Sequence, residues 1–270
     1  MRLRTELSRR LQQLALHYLR PGRTVHLSRY GVTLRLKPNI MGYYMLLEKF
    51  HLKRYEMGAL DLLARHAREG DIVDVGANEG FYSLCLGRLA AAVNNRILAF
   101  EPLPANLELL RRSVTTNGLA DTIEVVPTAV GSRQGEVTLF VPQSGYGSYA
   151  TTVSEVAPDT VESLSVPIDT LDRSLETRGT RRISLIKIDV EGAEFDVLLG
   201  ASKLIKAYRP AIFLELEKHR QPGGQAGVDK IVEFLRKHGY TLHSHTRGAQ
   251  IRPFDGRCGS GHNLYAVADR

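Results

Sequence analysis

Ten residues, Asp71–Gly80, reading D-I-V-D-V-G-A-N-E-G, constrain this chain of 270 residues more than any other stretch. Ile72, Val73 and Val75 read as a short apolar strand, Gly76–Gly80 as a tight turn, and Phe81–Leu86 as the start of an amphipathic helix. Strand, glycine turn and helix in that order form the opening unit of a nucleotide-type α/β fold. Gly76 lets the backbone turn with positive φ, and Gly80 admits a ligand or the helix at close range. Asp74 stands inside the apolar strand, where a carboxylate is costly unless hydrogen-bond partners meet it. Any α/β protein can carry such a turn, so the turn alone names no ligand.

The chain beyond it alternates strands with helices, the pattern of a doubly wound sheet. Strands are predicted at Ile72–Val75, Ile97–Phe100, Ile123–Val130, Ile183–Ile188, Ala211–Leu216, Tyr240–His243 and Leu264–Ala268. Glu136–Val141 reads as a further strand, closing a hairpin across Gly131–Gly135. Helices are predicted over Ala105–Thr116, stopped by Asn117-Gly118, over Ala193–Tyr208, and over Val228–His238, stopped by Gly239. The polar stretch 142–165 has the length of a functional loop, Gln221–Gly227 reads as a lid, and His245–Asn263 as a glycine-rich arm. A seven-stranded α/β sheet whose last strand follows a loop, and is therefore antiparallel, is expected.

Residues 1–66 read as an extension and 67–270 as the main domain. Leu3, Leu7, Leu11, Leu14 and Tyr18 fall at helical spacing, and Val25–Leu36 alternates around Gly31 as a small hairpin. Further helices are expected over Tyr43–Phe50 and Tyr55–His66. Of the formal net charge of +7, residues 1–37 carry nine basic side chains against Glu6 alone, so the rest of the chain is close to neutral. That basic, amphipathic start suits packing on the main domain, packing on a second copy in a homodimer, or peripheral docking on a membrane surface. Aromatic side chains do not interleave with the basic run as they do in single-strand binders, which argues against nucleic acid. Two cysteines, Cys85 and Cys258, make no disulfide framework, and no apolar run approaches the roughly 20 residues that span a bilayer. A cytoplasmic protein is expected; if the basic start docks on a membrane, residues 1–37 would make a peripheral contact at its inner face.

The ligand is narrowed by what the turn lacks. Gly76, Asn78 and Gly80 do not space as G-x-G-x-x-G, and the charges nearby are Asp74 and Glu79, with no basic cluster for a pyrophosphate. An acidic turn suits a cationic, phosphate-free ligand. Glu101, at the end of the second strand, is placed to accept hydrogen bonds from two ribose hydroxyls. Together these favour S-adenosylmethionine over NAD.

D-V-G-A-N-E-G at Asp74–Gly80, A-F-E-P at Ala99–Pro102 and I-K-I-D-V-E-G-A-E at Ile186–Glu194 resemble the motifs of FkbM-type methyltransferases. N-G-L at Asn117–Leu119, A-V-G at Ala129–Gly131, T-L-D at Thr170–Asp172 and L-E-L-E at Leu214–Glu217 fit the same resemblance, which covers about residues 70–216. It implies a class I, Rossmann-like methyltransferase fold and S-adenosylmethionine-dependent O-methylation of a saccharide, glycolipid or natural-product hydroxyl. The cofactor candidates are Asp74, Gly76, Asn78, Gly80, Glu101, Asn106 and Ala129.

For the acceptor, residues at the ends of the fourth and fifth strands matter most. Asp189 is the first candidate to orient or deprotonate the hydroxyl, with Glu191 behind it. His219 is a second candidate base, since imidazole titrates near neutral pH. Ser148 and Glu217 are candidate acceptor contacts. Lys187 and Glu215 stand inside apolar strands and are expected to pair with each other. Asp189, Glu191 and Glu194 could supply oxygen ligands to Mg2+, but a carboxylate at a helix start needs no metal, and no metal is expected. Two rivals remain: an RNA or protein methyltransferase guided by its basic start, and a non-catalytic cofactor-binding scaffold working through protein or membrane contacts.

Overall fold

The computed structural model describes residues 24–35, 55–142, 150–152, 161–179, 182–245, 250–258 and 262–269. The helices expected over 1–20 and 43–50, and most of the 142–165 loop with Ser148, lie outside the described residues.

The elements run β1 (Thr24–Leu27), β2 (Val32–Arg35), α1 (Tyr55–Leu63) and a 3-10 turn (Ala64–Arg68). Then come β3 (Asp71–Val75), α2 (Phe81–Ala91), β4 (Ile97–Phe100), α3 (Pro104–Thr116), β5 (Ile123–Val126) and β6 (Ala129–Val130). Next are β7 (Gly135–Pro142), β8 (Val161–Asp169), α4 (Leu171–Glu176), β9 (Ile183–Ile188), α5 (Glu194–Leu199) and α6 (Ser202–Tyr208). β10 (Ala211–Glu215), α7 (Gln225–Lys237), β11 (Tyr240–His245), β12 (Ile251–Pro253) and β13 (Asn263–Ala268) complete the described elements.

The main sheet has the order β12-β11-β13-β10-β9-β3-β4-β5. β3, β4, β5, β9 and β10 pair in parallel, and β13 inserts antiparallel between β10 and β11. Seven of these strands make the expected sheet with its antiparallel strand, and the short β12, from the glycine-rich arm, adds an eighth at the edge. β3 and β9 are buried along their whole length because helices cover both faces. Ile72, Leu185, Phe213 and Tyr265 pack against α1, α2 and the hairpin, and Val73, Val75, Ile186 and Leu214 pack against α4 to α7.

Two local expectations are corrected. The strand predicted over 123–130 is split by Pro127, which has no N–H to give a ladder, into β5 of the main sheet and β6 of a second sheet. That second sheet has the order β6-β8-β7, so β7 pairs antiparallel with β8 instead of closing a hairpin on residues 123–130. The small sheet buries Leu139, Val166 and Ile168 against Leu103, and so walls one side of the crevice above β3 and β4.

The hairpin β1–β2 is docked, with Val25, Leu27, Val32 and Leu34 in the same cluster as Leu60, Leu84 and Leu110. The Asn117 amide, at the end of α3, donates to Thr33 O at 2.7 Å and accepts from Thr33 N at 2.7 Å.

Candidate active site

A cleft of about 630 Å³ opens at the C-terminal ends of β3, β4 and β9, where an open parallel sheet binds its ligands. Its walls include Gly76, Asn78, Glu101, Asn106, Ala129, Asp189 and Glu191. Seven of the sequence-predicted site residues are therefore brought to one crevice. Asp74, Gly80, His219 and Glu217 are described but do not line it.

The turn after β3 is built by backbone necessity. Gly76 has φ of 75°, Asn78 of 51° and Gly80 of 95°, all left-handed. A Cβ on Gly76 would stand 1.9 Å from the Asp189 carbonyl oxygen, and one on Gly80 would stand 2.5 Å from a Leu110 methyl. The close neighbour at Gly76 is thus the loop after β9, and at Gly80 it is a side chain of α3. Asp189 N also donates to Val75 O at 3.1 Å, so the two loops are tied together.

Glu101 is buried, and its carboxylate is held from three sides. Oε2 accepts from Asn78 N at 2.8 Å, and Oε1 accepts from Leu103 N at 2.9 Å and Asn106 Nδ2 at 3.1 Å. It locks the turn after β3 to the start of α3 while facing the cleft.

Asp74 lies beneath the turn, 1% exposed, and accepts from Ser83 Oγ at 2.5 Å through Oδ2. Its Oδ1 stands 3.2 Å from Lys187 Nζ, which lies 3.5 Å from Asp189 Oδ2 and donates to Gly76 O at 2.9 Å. Burial alone would lower the Lys187 pKa, but the carboxylates of Asp74 and Asp189, and more weakly Glu215, outweigh it and hold the ammonium above its ordinary 10.5. The expected Lys187–Glu215 pair is corrected: Asp74 sits in direct register with Lys187 on β3 and takes the main role.

The loop after β9 carries the other acids. Asp189 is partly exposed on the cleft wall, its side chain 30% accessible. Glu191, held at φ of 56°, ion-pairs with Arg220 Nη1, and Arg220 Nε reaches Glu217 Oε2 at 2.8 Å. His219 is largely exposed, with Nε2 at 3.4 Å from Glu217 Oε2. Glu194 is buried at the start of α5 and does not face outward as a ligand. Its carboxylate accepts from Val190 N, Gly192 N and, at 2.7 Å, Gln221 Nε2, which shapes the D-V-E-G turn. Burial pushes the Glu194 pKa up despite these donors. Among the described residues no group of three or more His, Cys, Asp or Glu is arranged to hold a metal ion.

Several residues of the cleft wall were not among the sequence-predicted site residues. Leu139 and Thr128 reach it from the small sheet and the strand break, and Thr152 from a bridge between Thr151 and Phe140. The period-two apolar pattern of Leu164, Val166 and Ile168 was the available signal for that sheet.

The cleft fits a cationic nucleoside. It is lined by Glu101, Asp189 and Glu191 with no Lys, Arg or His among its wall residues, and the buried Asn78 Oδ1 in its wall has no hydrogen-bond partner among the described residues. Across residues 74–242 the chain matches the model of the methyltransferase FkbM domain, well over half its length. The chain belongs to the FkbM methyltransferase family. It is 29% identical to 31-O-demethyl-FK506 methyltransferase FkbM of Streptomyces tacrolimicus over 65% of this chain and 74% of that protein. It is 28% identical to the hexuronic acid methyltransferase AglP of Haloferax volcanii, over 65% of each chain. A third relative, the AMB antimetabolite synthetase AmbE of Pseudomonas aeruginosa, is 28% identical over 63% of this chain, which spans 9% of that much longer protein. The chain spans less than two thirds of the length of several of the curated relatives it matches. Glu101, Asn78 and Asn106 stand together on the cleft wall, and the acids of the cleft suit a positively charged ligand. No helix among the described residues is long and apolar enough to cross a membrane.

Proposed function

We propose that this FkbM methyltransferase acts on a hydroxyl of a saccharide, glycolipid or natural product, with Asp189 as the residue that orients the hydroxyl and takes its proton. One observation carries the reading: Asp189 is a partly exposed carboxylate on the cleft wall, at the end of β9, fixed through Val75 and Lys187. The cofactor supplies an already activated methyl group, so the protein has to align the nucleophile and accept a proton. Asp189 does both from one position. Glu191, committed to Arg220, shapes the rim instead of moving a proton. His219, exposed and beside Glu217, does not line the cleft and is the weaker candidate for the base.

The names of two relatives support an oxygen acceptor, one 31-O-demethyl-FK506 and the other a hexuronic acid. Incubation with labelled S-adenosylmethionine and separate lipid, saccharide and RNA fractions tests the acceptor class. Label is expected in the saccharide or lipid fraction and not in RNA. Asp189→Asn is expected to lower turnover at least 100-fold while leaving S-adenosylhomocysteine affinity within about tenfold. Wild-type turnover in that variant would remove Asp189 from the role.

A further inference from the structure

Lys187 is a buried cation that the reaction itself does not call for. Its side chain is 5% exposed, at the penultimate position of a strand otherwise made of Ile183, Ser184, Leu185, Ile186 and Ile188. Strand alternation puts it on the face covered by α2, where it stands 5.3 Å from the Tyr82 ring centroid. A lysine ammonium has three donors, and three oxygens surround this one: Gly76 O at 2.9 Å, Asp74 Oδ1 at 3.2 Å and Asp189 Oδ2 at 3.5 Å. Those oxygens belong to different parts of the site. Gly76 is the turn that receives the cofactor, Asp74 is anchored to α2 through Ser83, and Asp189 faces the acceptor.

We propose that Lys187 is a positioning residue that couples the cofactor turn to Asp189, so that the conformation of the turn sets where the acceptor-facing carboxylate points. The inference rests on the role given above to Asp189. A lysine needed only to neutralise Asp74 would be satisfied by that carboxylate alone. Here the same ammonium also reaches across to a carbonyl and a second carboxylate on separate loops, which already touch at Gly76 and Asp189. Moving either loop changes the distance from Lys187 to the other. Pinning the Gly76 carbonyl holds the backbone of the turn, and drawing in Oδ2 restricts the Asp189 rotamer.

The test needs no acceptor. Lys187→Met alone would leave Asp74 buried without its cation, so it is combined with Asp74→Asn, whose amide still accepts from Ser83. Thermal unfolding establishes that the double variant is folded. Two probes are then titrated by calorimetry: S-adenosylhomocysteine, and sinefungin, an analogue carrying an amine-bearing carbon in place of the sulfonium, whose positive charge reports an acid near the reacting centre. In the double variant S-adenosylhomocysteine is expected to bind about tenfold more weakly, because the turn is released. The preference for sinefungin over S-adenosylhomocysteine is expected to fall to the level of Asp189→Asn. Adding Asp189→Asn to the double variant should change that preference by less than about threefold, as for residues acting through one another. Should the double variant fail to fold, Lys187→Gln with Asp74→Asn, which keeps one N–H toward Gly76, is expected to retain S-adenosylhomocysteine affinity within about threefold and still lose the preference.

Native affinity and native preference in a folded double variant would overturn the coupling. So would a loss of preference in Asp189→Asn that the Lys187 variants do not share. If the native chain and Asp189→Asn show the same preference, the role of Asp189 itself fails, and the inference with it. The affinity for S-adenosylhomocysteine then still reports whether Lys187 holds the turn.

Discussion

Glu101 builds the wall of the cleft and, in the function proposed above, also holds the nucleoside. Its two oxygens accept from Asn78 N, Leu103 N and the Asn106 amide, so an acceptor on both sides is required. Glu101→Gln puts an NH2 group against at least one of these donors. It is expected to weaken S-adenosylhomocysteine binding by 10- to 100-fold in calorimetry and to cost roughly 1–3 kcal/mol in urea unfolding. Near-native affinity would mean that the carboxylate is structural only. Glu101 was legible in the sequence because it stands at the end of the second strand of the α/β pattern, where a carboxylate meets the ribose of a bound nucleoside. The partner of Lys187 was not. β9 has neighbours on both sides, β3 and β10, and an acid on either could answer the ammonium. Register decides, since Asp74 lies directly opposite Lys187 on β3, whereas Phe213 is its partner on β10 and Glu215 lies two residues further along. Registers between strands far apart in sequence are set by packing, which no local pattern records.

At the level of elements, regular periodicity was readable and interruptions were not. β3, β4, β9 and β10 are short apolar runs bounded by turn residues, and each lies within a residue or two of its expected place. β8 was hidden because Glu162, Ser163, Ser165 and Pro167 make V-E-S-L-S-V-P-I-D read as loop, although Val166 and Ile168 are buried. Thr170 and Asp172, the ends of the T-L-D motif, turn out to be caps. The Thr170 hydroxyl accepts from Arg173 N at 3.2 Å, and the Asp172 carboxylate accepts from Lys203 N and Leu204 N at the start of α6. The hairpin β1–β2 was visible by alternation, but its seat on α2 and α3 was not. Asn117 clamps it through both backbone groups of Thr33 while also donating to Ser113 O at 2.7 Å. Asn117→Ala strands the Thr33 N–H and carbonyl and is expected to destabilise the protein by about 1–3 kcal/mol. Hydrogen exchange should then speed up in residues 24–35 before the main sheet is affected. Unchanged exchange there would show that apolar packing alone holds the hairpin.

For the whole molecule, buried ionisable groups define a window of pH. Burial lowers the pKa of His66 and of His262 below the ordinary 6.5, even though Glu69 and Asp255 pull the other way. Below 6.5 the unfolded chain therefore takes up protons that the fold refuses, and stability falls as pH drops. Burial raises the Cys85 thiol above its ordinary 9.0 and the Tyr30, Tyr240 and Tyr265 hydroxyls above 10.0. The carboxylates of Asp74 and Asp189, against the effect of burial, hold Lys187 above 10.5. Above about 9 the unfolded chain releases protons that the fold retains, and stability falls again. Calorimetry across pH is expected to place the highest melting temperature between 6.5 and 9. A melting temperature still climbing below 6.5 would remove the two histidines from this account.

The position of β13 also bears on how the protein folds. β10 and β11 are neighbours in the chain but not in the sheet; they meet only through β13, which pairs with both. A chain in which β10 and β11 have folded without β13 therefore has two bare strand edges facing each other across an empty slot. Until residues 263–268 fill that slot the chain displays unpaired strand edges, the form in which polypeptides cross-pair and aggregate. A chain lacking residues 263–268 is therefore expected to aggregate more readily than one that carries them, a difference that light scattering during refolding would read.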